Sequence, residues 1–153
     1  MRRVRSTGGP GPRTAFPRRY GVPAPRGTTE ASRGLAEATG AGGLLRVEYE
    51  RFVRAAAPTE VTVSVAADIA ALGRVRLRVL SDYLAGASEY GVAPEPEEVV
   101  GEHGALVHLF RTGESPEPLR VTFRLRVGRI GSHRAEFALS GLSTAWFWQF
   151  AHP

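Results

Sequence analysis

The sequence predicts an all-β fold: an antiparallel, immunoglobulin-like β-sandwich of seven or eight strands over residues 43–153, with a disordered basic tail and linker over residues 1–42. Three observations point there. Apolar and polar residues alternate strictly through the second part of the chain, the pattern of half-buried strands. Glycine and proline clusters cut that part into short runs with no helical stretch between them, as in a sandwich or barrel. Residues 1–33 show neither pattern; they hold eight arginines, five prolines and one acid, Glu30, for a net charge of +7. Such a segment buries too little apolar surface to offset its chain entropy.

The elements follow in chain order. Residues 34–42 (GLAEATGAG) read as a linker with at most one weak helical turn. Leu45–Val53 begins as a strand, with Val47 and Tyr49 inward, until Arg51 breaks the alternation. A bulge or a change of sheet near Glu50–Arg51 restores it. Thr59–Val65 follows Pro58 and turns Val61, Val63 and Val65 inward. Arg74–Val79 follows Gly73 and sets Val75, Leu77 and Val79 against Arg74, Arg76 and Arg78. A short strand is expected around Ser88–Val92. Ala105–Arg111 is apolar on both faces and suits a central position. Leu119–Val127 alternates without a break, with Val121, Phe123 and Leu125 inward. Arg134–Leu139 places Phe137 and Leu139 inward. Thr144–Phe150 puts Trp146, Trp148 and Phe150 on one face and Phe147 on the other. Trp146 and Trp148 are assigned to the core, because large aromatic areas fill a small sandwich. Leu109 completes the expected core.

Composition narrows the chemistry. All 20 basic residues are arginine and cysteine is absent. No disulfide, thiol nucleophile or thiolate metal site is therefore possible. No run approaches the roughly 18–20 apolar residues of a membrane helix, and no signal-peptide h-region precedes the domain. As written, the chain is expected to be soluble and cytoplasmic.

The candidate constellations are weak. His103, His108, His133 and His152 lack metal-ligand spacing, although His108, His133 and Glu136 would make a minimal site if they met in space. Ser81-Asp82 and Ser132-His133 are read as turn residues, since neighbours on a strand point to opposite faces. Glu95, Glu97 and Glu98 fall in one proline-stiffened loop and read as solvated. No cofactor is expected. The tail, with Phe16 and Tyr20, offers phosphate neutralisation and some stacking for nucleic acid. The strongest surface feature is a pair of arginine stripes, Arg74, Arg76 and Arg78 on one strand and Arg120, Arg124 and Arg126 on another. If those strands were neighbours, six guanidinium groups would line one face suited to an anionic surface.

The stretch Leu45-Arg-Val-Glu-Tyr-Glu-Arg-Phe52 resembles the opening of a family of small uncharacterised bacterial proteins. The resemblance runs on through Ala57-Pro58-Thr59, Arg76-Leu77-Arg78, Ser81-Asp82-Tyr83-Leu84, Pro94-Glu95-Pro96-Glu97 and Gln149-Phe150-Ala151-His152-Pro153. In that family a transmembrane helix usually precedes a small all-β domain; here an arginine–proline tail stands in its place. The resemblance implies a cell-envelope setting, as a membrane-associated domain with a protein or anionic membrane surface as partner. The function expected is a non-enzymatic interaction domain. The alternative is a cytosolic protein associating with nucleic acid or another polyanion through its tail.

Overall fold

Alternation in the sequence becomes two facing sheets in the computed structural model, which describes residues 34–113 and 117–153. The expected disorder and nucleic-acid role of residues 1–33 lie outside the described residues. Among the described residues eleven strands follow one another: β1 (Leu35–Thr39), β2 (Leu45–Glu50), β3 (Phe52–Arg54), β4 (Pro58–Val65), β5 (Arg74–Leu80), β6 (Ala87–Ala93), β7 (Glu98–Glu102), β8 (Ala105–Arg111), β9 (Leu119–Val127), β10 (Gly131–Leu139) and β11 (Ser143–His152). One sheet has the order β1-β2-β4-β9-β6, the other β3-β11-β10-β5-β8-β7. Two short helices, Ala67–Ala70 and Ser81–Ala85, join strands. No helix among the described residues is long and apolar enough to cross a membrane.

The count exceeds the seven or eight strands expected, for three reasons. Residues read as linker form β1, an edge strand pairing antiparallel with β2 through Leu35↔Glu50 to Thr39↔Arg46. Its inward residues are only Ala36 and Ala38, too small to register as an apolar stripe. The run from Leu45 divides at Arg51 into β2 and β3, so the chain does change sheets there. The region from Ala87 to Glu102 holds two strands, β6 and β7, with mostly exposed side chains. A tight hairpin then joins β7 to β8, with His103 and Gly104 both at positive φ (44° and 75°). Two consecutive left-handed residues match the twist of the flanking strands in such a turn.

The core lies between the sheets. Val47, Val61, Val63, Val65, Leu77, Val79, Val121, Phe123 and Phe137 are wholly buried there. Phe137 stands at its centre, edge-on to Phe123 (5.3 Å between centroids) and Tyr83 and parallel to Phe147; Tyr49 stacks on Phe147 at 3.7 Å. Offset and edge-to-face contacts of this kind add to the stabilisation from area burial.

Three expected core residues lie elsewhere. Trp146 and Trp148 face outward, while Phe147 is buried among Tyr49, Tyr83 and Phe137. Leu109 sits half-buried on the outer face because His108 and Phe110 of the same strand point inward. Alternation assigns residues to two faces without saying which one meets the other sheet.

Candidate functional site

The last strand has two dissimilar faces. Its inner row is Ser143, Ala145, Phe147, Gln149 and Ala151; its outer row is Thr144, Trp146, Trp148, Phe150 and His152. Small side chains are needed inside because Tyr83 and Tyr49 already fill the space against Phe147. A polar link crosses the same place. The Tyr83 hydroxyl donates to Gln149 Oε1 (2.9 Å), and Gln149 Nε2 donates to the Glu50 carbonyl (2.9 Å). Burial pushes the Tyr83 phenol pKa well above its ordinary value, so it remains a donor. Buried polar groups tolerate removal from water when paired in this way.

The outer row is consequently aromatic and open. Trp146 is 56% exposed, Trp148 45%, Phe150 42% and Phe52, beside Phe150 in β3, 58%. Phe52 and Phe150 stack at 5.8 Å, and the Arg134 guanidinium lies 5.7 Å over the Trp146 ring. Scattered surface apolar residues need no explanation, but four large exposed rings clustered on two adjacent strands are a candidate binding feature.

Beside this row lies a cleft of about 500 Å³ between β1 and β11, lined by Glu37, Tyr49, Arg51, Trp146 and Trp148 among others. Arg51 and Arg54 form no ion pair among the described residues, whereas Glu37 is engaged by Arg46 at 3.3 Å. Of the two charged residues lining the cleft, Arg51 is therefore the one without an ion pair among the described residues.

The two arginine stripes do not meet. Arg74, Arg76 and Arg78 stand on β5, between β10 and β8; Arg120, Arg124 and Arg126 stand on β9, between β4 and β6, in the other sheet. They line opposite outer faces, because strand order is set by long-range pairing that one strand's pattern does not encode. Several are also neutralised: Arg76 by Glu102 (3.2 Å), Arg124 by Glu60 (3.1 Å) and Arg126 by Glu89 (3.1 Å). Arg78 lies half-buried, its Nε without a partner among the described residues.

The remaining candidates do not converge into a reactive centre. His108 is wholly buried on the inner face of β8, beside Phe123 and Phe110, and neither ring nitrogen has a hydrogen-bond partner among the described residues. Burial pushes its pKa below the ordinary 6.5. His133 lies instead in a surface cleft with Asp82, Arg129 and Ser132. Its Nε2 is 2.7 Å from the Arg129 carbonyl, and no hydrogen bond joins it to Ser132 or Asp82. Glu136 pairs with Arg134 on the outer face, away from both histidines. No cluster of three potential metal ligands occurs among the described residues. Glu97, in the acidic loop, binds Arg111 at 2.8 Å.

Comparison of the chain with models of known protein families, and with curated proteins, returns no match.

Proposed function

We propose that this protein is a non-enzymatic interaction domain whose partner docks on the outer face of the six-stranded sheet, at Trp146, Trp148, Phe150 and Phe52. The carrying observation is the last strand, with three large rings outside and only one ring, Phe147, among small side chains and a glutamine inside. Exposing that much apolar area gains nothing for folding. It suits binding, where tryptophan and arginine supply most anchoring contacts. On this reading the sandwich is immunoglobulin-like, and the domain works at the bacterial cell envelope, beside a membrane-protein partner. The family resemblance supports the setting. Tryptophan and arginine also suit the boundary layer of an anionic membrane. Arg134, Arg54 and Arg51 lie beside the rings, whereas Arg74, Arg76 and Arg78 form a second row on the same outer face.

Site-specific photo-crosslinking in bacterial cells tests this. A photoreactive residue at position 148 is expected to trap a discrete envelope protein or lipid. The same residue at Thr62, on the outer face of the five-stranded sheet, is expected to trap neither. Equal labelling from both positions, or none from position 148, would overturn the proposal.

A further inference from the structure

Resting on the interaction face just described, the geometry points to a specific mode of capture. We infer that the open edge of β11 takes up a short, acidic, extended segment of another protein as an added strand.

The inference begins with main-chain groups. The Phe150 N–H donates to the Arg51 carbonyl and the Ala55 N–H to the His152 carbonyl, so even-numbered residues of β11 point their peptide groups away from β10. By alternation, Trp146 and Trp148 aim their N–H and C=O groups the same way. There β3 covers only Phe150 to His152, through the parallel pairs Phe150↔Phe52, Ala151↔Val53 and His152↔Arg54. Upstream of Phe150, the edge has no strand partner among the described residues. Unpaired edges are templates for strand addition, and proteins ordinarily blunt them. This one carries no proline and no charge, only two tryptophans.

The slot has two ends. Gly40 closes one: a Cβ there would collide with Ser143 Oγ and lie 3.1 Å from the Thr144 carbonyl oxygen. Arg51 and Phe52 close the other. The opening therefore suits a segment of roughly four residues, about 13 Å of extended chain. A second copy pairing through its own β11 does not fit. That strand runs from Ser143 to His152 and would override β3 or the Gly40 corner. An isolated extended segment does fit, continuing the row that β3 begins. Charge selects its chemistry. Arg51 lines the cleft without an ion pair among the described residues, while Glu37 across from it is engaged by Arg46, so acidic side chains are favoured. Alternate side chains of the guest would lie against the Trp146 and Trp148 rings. This is the division of labour in strand-addition complexes, with main-chain bonds giving affinity and side-chain pockets giving specificity.

The test uses the whole chain. In amide exchange followed by NMR, the Trp146 and Trp148 amides should exchange roughly a hundredfold faster than those of Phe147 and Gln149. Equal protection would mean that the free chain already fills the slot, and would overturn the inference. The probe is then a displayed library of random eight-residue peptides. Proline-poor sequences with acids at alternate positions should be enriched. A synthetic copy should slow exchange at Trp146 and Trp148, and should lose at least about tenfold in affinity when N-methylated at every second residue. No enrichment, or a binder indifferent to N-methylation, overturns strand addition. So does protection of these amides by self-association. A binder that tolerates N-methylation but is lost in Trp148→Ala refutes only the strand mode and leaves the aromatic docking face standing. Absence of peptide binding together with absence of crosslinks from position 148 removes both.

Discussion

The two faces of β11 differ as sharply as any two regions of the molecule. The buried face holds two alanines, a serine, a glutamine and one phenylalanine; the exposed face holds two tryptophans and another phenylalanine. Size alone would have placed them the other way round. Position in the sandwich decides instead: the inner row must fit between Tyr49, Tyr83 and Phe137, which leave room for one ring and otherwise for small groups. Burial thus follows complementarity with what already occupies the space, because interiors are close-packed. The outer row is free of that constraint.

Substitutions on the two faces should separate cleanly. Phe147→Ala should cost about 3–5 kcal/mol in urea unfolding, since it opens a cavity inside the aromatic cluster. A cost below about 1 kcal/mol would show that the inner row is not core. Tyr83→Phe should cost about 1–3 kcal/mol, because it leaves Gln149 Oε1 buried without its donor. Next comes pH. Unfolded, His108 titrates near 6.5; buried, it holds its proton less well. Unfolding therefore takes up a proton, and stability is lost as pH falls through 6.5 toward the lower folded value. His108→Phe should remove that part of the pH dependence, read from unfolding curves at about pH 7.5 and about pH 5. An unchanged slope would mean that the imidazole is hydrated. The smallest effect belongs to the outer row: Trp148→Ser should alter stability by no more than about 0.5 kcal/mol while abolishing crosslinking and peptide capture.

Much of this architecture was legible in the residues. The alternation of Arg74–Val79, Thr59–Val65 and Leu119–Val127 identified strands β5, β4 and β9, and the break at Arg51 marked the sheet change. Each of those signals is local. What stayed hidden depends on distant contacts. Ala36 and Ala38 become strand residues only because β2 lies beside them. The arginine stripes part company because β5 and β9 join different sheets. Trp146 and Trp148 look like core in the sequence because nothing local shows that Tyr49 stacks on Phe147 in the space behind them. Three aromatics at alternating positions did signal one shared face; nothing in the strand itself told which way that face looks.

The crossing at Arg51 also has a consequence in time. Gln149 caps the Glu50 carbonyl across 99 positions of chain, and among the described residues β3 has its only partner strand in β11. A chain made from its N-terminus exposes Phe52 and Val53 long before Phe150 and Ala151 exist to receive them. Contacts this distant slow folding and leave an interval open to wrong pairing. Among the described strands, β3 can take its place in the sheet only once Ser143–His152 has been made.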